Sequence, residues 1–226
     1  MPGVITTWPC PAPNGSTATE YAVGFEGGRV HRLLVIPPLF DEANRLRRLT
    51  VEVMQRLDAA GIDSLLPDLP GCNESLQPLA AMTLDHWRGA ASAAAAHFSA
   101  THVLAIRGGA LIAPPLPGWH YAPANGATIL RQMIRARILS SREAGRDETQ
   151  AALLAQGMAG GLDLAGYPLS AAMVPGLHEA SPADGPATRI AQSDIGGGAL
   201  WLRAEPDDDA GQAGALAGLI AVALQG

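Results

Sequence analysis

The sequence contains no lysine: all 15 of its basic residues are arginines. That excludes Schiff-base chemistry on a lysine amine and the lysine of a phosphate-binding P-loop. Beside abundant alanine and 26 glycines, the absence reads as the codon usage of a GC-rich bacterial genome, not as function. Cysteine is scarce as well. Cys10 and Cys72 are too few and too far apart for a disulfide framework or a zinc site, and they fit a reducing compartment. Positive charge is short overall. With a net charge of −6 and no basic stripe, the chain has nothing to neutralise a run of phosphates, so no nucleic-acid partner is expected.

Long apolar runs are missing too. The stretch 210–224 is apolar, but it is broken by Gly214 and Gly218 and is shorter than the ~18 residues of a membrane span. It is expected to be a docked terminal helix. The first residues lack a basic segment followed by an apolar one, so no secretory leader is expected and the predicted location is cytoplasmic. The six histidines form no ligand pattern: His86 and His97 share one predicted helix without the i, i+4 spacing, and His31, His102, His120 and His178 are read as ordinary, partly exposed residues. Trp87, Trp119 and Trp201 are read as core or rim packing. Neither a metal nor a cofactor is expected.

What is present is a globular composition, 48% hydrophobic and 16% charged over 226 residues, which suits one domain spanning 1–226. Extended segments are expected at 17–25 and 30–36, separated by Glu26-Gly27-Gly28, a hairpin signal. A helix follows, capped by Asp41, with Leu46, Leu49, Val53 and Leu57 on one face and Gly61 at its end. A buried strand at 62–66, an alanine-rich helix at 84–98 and a strand at 102–106 complete two successive βαβ units, which predicts a parallel sheet. A further strand at 116–121, a helix at 128–139 and strands at 187–192 and 199–203 are expected, before the terminal helix. The glycine- and proline-bearing stretch 140–185 is expected to be a cap or insertion over one end of the sheet. The fold class is therefore α/β.

Ligands of open parallel sheets sit beyond the carboxyl ends of the strands, which singles out the loops at 37–44, 67–75 and 107–110. In the third, Val103-Leu104-Ala105-Ile106-Arg107-Gly108-Gly109-Ala110 is an apolar strand turning at once into small residues, the context of a nucleophile elbow. Ala105-Ile106-Arg107-Gly108-Gly109 has the shape of G-x-S-x-G, with Ala for the first Gly and Arg for Ser. Pro67-Asp68-Leu69-Pro70-Gly71-Cys72-Asn73-Glu74-Ser75 resembles the D-x-P-G-x-G-x-S loop of many α/β-hydrolases, one βαβ unit earlier.

With the first loop included, Val35-Ile36-Pro37-Pro38-Leu39-Phe40-Asp41-Glu42-Ala43-Asn44-Arg45-Leu46-Arg47-Arg48 resembles the P-P-F-x-E-E-x-N-x-x-R-R stretch of one α/β-hydrolase-like family. It is the second of the two hydrolase families associated with the exosortase A system, whose genes accompany exopolysaccharide biosynthesis and the sorting of proteins with a PEP-CTERM tail. The segments 67–72, 106–111, 130–137 and 165–170 are similar to that family's P-D-L-P-G-C, L-R-x-G-A-L and later motifs. Leu39-Phe40-Asp41 departs from its usual F-A-E, and Asn73 from its usual Gly. The resemblance implies a three-layer α/β-hydrolase-like sandwich with a mostly parallel sheet and a small cap. It also implies arginine at the elbow, and a ligand or protein partner in the export pathway.

A serine-hydrolase triad needs a nucleophile, an acid and a histidine that follows the last strand. Here no histidine follows His178, and the late loop Glu205-Pro206-Asp207-Asp208-Asp209 is acidic. Asp194 stands near the acid's place, and is also read as a surface residue in a turn. Arg107 stays protonated and is no nucleophile. Its buried charge requires a partner, for which Glu42 is the candidate. Two roles follow for Arg107: a structural ion pair with Glu42, or, with Asn44, the capture of a ligand carboxylate or phosphate. Cys72 is the remaining candidate nucleophile, against its reading as a small buried residue. The chain is thus either a pseudo-hydrolase that binds a small anionic or acyl ligand, or an active hydrolase on an ester, thioester or acyl substrate with non-standard residues.

Overall fold

The strand and helix segments alternate along most of the chain. A computed structural model describes residues 3–203 and 205–226. In chain order the strands and helices are β1 (Val4–Pro11), β2 (Thr17–Phe25), β3 (Arg32–Ile36), α1 (Asp41–Arg45), α2 (Arg47–Ala59), β4 (Asp63–Pro67), α3 (Leu84–His97), β5 (His102–Ile106), β6 (Gly118–Tyr121), α4 (Gly126–Glu143), α5 (Gln150–Gly160), β7 (Leu162–Leu164), β8 (Tyr167–Leu169), α6 (Met173–Glu179), β9 (Ala187–Ile190), α7 (Gln192–Ile195) and α8 (Ala210–Gln225). Seven strands form one sheet in the order β1-β2-β4-β3-β5-β6-β9, and β7 and β8 form a separate two-stranded ribbon. The first two pairings are antiparallel and the other four parallel.

The central parallel strands are buried on both faces, which is why β5 reads as an apolar run without alternation and why even Asp63 and Ser64 of β4 are buried. Two cores result. On one face Leu34, Ile36, Val103 and Ala105 meet Trp87, Ala91, Ile129 and Leu177. On the other Leu33, Val35, Leu104 and Ile106 meet Leu49, Val53, Leu57, Leu216 and Ile220 from α2 and α8. Helices on both faces of a mostly parallel sheet make the expected three layers. Residues 140–185 hold the end of α4, then α5, the β7–β8 ribbon and α6, whose Leu153, Leu164, Leu169 and Val174 join the first of these cores. Among the described residues no helix is long and apolar enough to cross a membrane.

Three expectations are corrected, and one strand is added. The turn at Glu26–Gly28 does not close a hairpin, because β4 lies between β2 and β3. Asp63, fully buried at the start of β4, explains this: its carboxylate accepts from the backbone N–H of Gly27 at 2.7 Å and of Arg29 at 3.1 Å, and pairs with both Arg29 and Arg32. The helix after β3 is not capped by Asp41, which is its first residue and pairs instead with Arg45 at 2.5 Å. It also breaks at Leu46, where φ is −102° and ψ 5°. Residues 199–203 are not a strand: Leu200–Leu202 form one tight 3-10 turn, and the sheet ends at β9. Finally, β1 was not anticipated. Pro9 and Pro11 argue against a strand, but β1 is an edge strand, where a missing N–H is tolerated.

Candidate functional site

The carboxyl ends of β3 and β5 are adjacent in the sheet, so the loops that leave them face each other. Arg107 follows β5 directly, with φ at +55°. A positive φ on a non-glycine residue is strained, at a cost of about 1–3 kcal/mol, and is the backbone feature of a nucleophile elbow. Gly108 and Gly109 permit the turn. A Cβ on Gly109 would lie 2.5 Å from the Pro37 carbonyl oxygen and 2.8 Å from that of Ile36. Both obstacles are backbone atoms that cannot swing aside. Gly109→Ala is therefore expected to destabilise the protein by about 1–3 kcal/mol, read from the urea midpoint at unchanged slope. An unchanged midpoint would show that the elbow is not closely packed on β3.

In place of a hydroxyl, the elbow projects the guanidinium of Arg107, a residue that is only 7% exposed. Arg107 donates from Nε to Glu42 Oε2 at 3.1 Å and from Nη2 to Glu42 Oε1 at 3.0 Å, a two-pronged pair. Nη1 donates to the Ala122 carbonyl at 2.8 Å. The indole of Trp201 covers the guanidinium, with Arg107 Cζ 4.0 Å from the ring centre. Trp201 is itself fixed: Arg45 Nη1 donates to its carbonyl at 3.0 Å, and the Tyr121 ring meets it edge-on. The Tyr121 hydroxyl donates to Gln192 Oε1, and burial pushes its pKa up. Gln192 and Gln212 tie the glycine turn above it, donating to the carbonyls of Gly196 and Gly198. The signal for Trp201 in the sequence is weak, a lone indole after a glycine run. Its contact with Arg107 was not foreseen.

The remaining candidates are not among the hydrogen-bond partners of this pair. Asn44 is exposed and makes no hydrogen bond to the Arg107–Glu42 pair. Asp194 is exposed, and its Oδ2 accepts from the backbone N–H of Ala191 at 2.6 Å, so it is engaged in starting α7. Burial, with the carboxylates of Asp68 and Glu20, pushes the Cys72 thiol up to about 12, which disfavours the thiolate a nucleophile needs. His178 is exposed on α6. His120 departs from the expectation of partial exposure. It is buried on β6, and burial together with the Arg189 charge lowers its pKa. No group of three or more metal-ligating side chains occurs among the described residues.

Two cavities flank the loop after β3. One of about 250 Å3 opens beside the ion pair, with Glu42 and Trp201 in its wall. The other, of about 430 Å3, contains Asn44 and Cys72. Phe40 and Tyr167, edge to face at 5.5 Å, border both.

An antiparallel start, parallel strands in this order and a strained elbow after β5 define an α/β-hydrolase-like fold. No family model and no curated protein matches the chain. Among solved structures, the chain is similar to a protein from Agrobacterium vitis S4 described as a hydrolase, with 14% identity and a TM-score of 0.46, over 62% of this chain and 61% of the other. It is also similar to the α/β hydrolase GrgF from Penicillium sp. sh18, with 14% identity and a TM-score of 0.48, over 79% and 73%. With the epoxide hydrolase VrEH1 from Vigna radiata the identity is 16% and the TM-score 0.37, over 48% of this chain and 32% of that enzyme.

Proposed function

We propose that this chain is a pseudo-hydrolase: a ligand-binding member of the α/β-hydrolase fold class that serves the exosortase A and exopolysaccharide system in the cytoplasm. The carrying observation is the Arg107–Glu42 pair under Trp201, which occupies the place where a hydrolase presents its nucleophile. Acyl transfer needs a group there that attacks a carbonyl and an imidazole that takes its proton. Arg107 keeps its protons, and its charge is already matched by Glu42. No histidine follows His178 in the sequence, and the indole of Trp201 lies over the elbow. The assignment to the export system is supported by the resemblance of segments 35–48, 67–72 and 106–111 to that family. Its partner is a small anionic or acyl ligand, or a protein of the same pathway.

The test is to incubate the purified protein with a fluorophosphonate probe and, separately, with p-nitrophenyl butyrate. Neither labelling nor turnover above buffer is expected, for the wild type or for Arg107→Ser, since a restored hydroxyl still lacks its base. Stoichiometric labelling of a wild-type serine would overturn the reading.

A further inference from the structure

The cavity beside Arg107 has a composition that specifies its ligand more closely. Most of its wall is apolar, with Leu39, Phe40, Ile129, Met133, Tyr167 and Trp201 the largest side chains, and charged and amide groups complete the lining. At about 250 Å3 it lies just below the ~300 Å3 at which small-molecule sites usually begin, a space for one slender chain. The charges around it are mostly paired. Glu42 is held by Arg107 at 3.0 Å, and Asp41 by Arg45 at 2.5 Å. Arg135, exposed on α4 and also lining the cavity, makes no ion pair or hydrogen bond among the described residues. The side chain of Gln132, one turn of helix earlier, is likewise unpaired. An apolar slot with one unmatched guanidinium at its border is complementary to an apolar chain ending in an anion.

The geometry points to a site for a single-chain fatty carboxylate, its chain inside the cavity and its carboxylate on Arg135, with Gln132 as a second donor. This rests on the reading above that Arg107 is already satisfied by Glu42 and takes no ligand. Phe40 and Tyr167, in contact with each other, line this cavity and the larger one alike. As the wall shared by the two cavities, they act in this proposal as a stop that sets chain length.

Isothermal titration with decanoate and with decanol separates the parts of this proposal. Wild type is expected to bind decanoate more tightly than decanol. Arg135→Ala is expected to weaken decanoate about tenfold, the loss of one charge-assisted contact, and to leave decanol unchanged. Ala136→Trp, at an exposed helix position on the cavity border, is expected to abolish both while retaining the wild-type melting temperature. Tyr167→Ala should join the two cavities and shift the preference from decanoate towards hexadecanoate. No detectable binding of decanoate at millimolar concentration, or equal binding by wild type and Arg135→Ala, overturns the site. If Arg107→Met with Glu42→Leu abolishes decanoate binding while Arg135→Ala does not, the anion sits on Arg107. That outcome overturns this inference and the ion-pair premise together, whereas fluorophosphonate labelling speaks only to catalysis.

Discussion

Glu42→Gln is expected to lower the unfolding free energy by about 3–5 kcal/mol, a large part of the 5–15 kcal/mol typical of a folded protein. The substitution keeps the shape of the side chain and removes its charge, leaving the guanidinium of Arg107, a residue only 7% exposed, uncompensated. Trp201 offsets only part of this, since a cation over an aromatic face contributes about 0.5–2 kcal/mol. Removing both partners is a different case. Arg107→Met with Glu42→Leu takes both charges out of the interior, so stability is expected to return to within about 1–2 kcal/mol of wild type. The measurement is urea unfolding of both single variants and the double. A loss below 1 kcal/mol for Glu42→Gln would mean that water reaches the guanidinium, and would sink the structural role of the pair.

Asp63→Ala is expected to destabilise by about 3 kcal/mol, the scale of hydrogen bonds to a charged group lost with their partners left in place. Asp63 is completely buried, and its two oxygens hold the backbone of Gly27 and Arg29 and the side chains of Arg29 and Arg32. Both arginines keep a fifth or more of their side chains in water, which limits the cost of stranding them. The backbone groups have less recourse. Because the turn between β2 and β3 is fixed from β4, amide exchange should accelerate first at residues 27–32. Uniform exchange across the sheet, with no local change at that turn, would rule out this anchoring role.

The same turn shows where sequence reading stops. Local pattern was enough for α2 and α3, whose apolar residues recur at helical spacing, and for β4 and β5, short segments bounded by turn and helix signals. The insertion of β4 between β2 and β3 depends on hydrogen bonds from Asp63 to residues more than thirty positions away, and no local pattern encodes them. In the site, Arg107 and Glu42 were legible because a buried cation at a strand end demands a partner and the adjacent loop offers one. Asn44 is read from the same loop as a second group on a ligand anion. Residues two apart on a helix point to different sides, so α1 directs Glu42 inward and Asn44 to solvent. Trp201 packs at the rim of the core as expected, but its contact with Arg107 was not legible, because residues 199–203 look extended by composition and instead form a tight turn, with the Trp201 carbonyl held by Arg45.

The ends of the sheet bear on how the protein behaves at high concentration. An open sheet offers its outermost backbone groups to any other chain in solution, the first step towards fibrils. On β1, Pro9 and Pro11 lie two residues apart and remove two donors from the same side of the strand, while the other side is paired with β2 along its whole length. The opposite rim, β9, has only four residues and exposes the charge of Arg189. Neither rim can template a long, regular ladder. The two prolines of β1 thus guard the sheet against self-association.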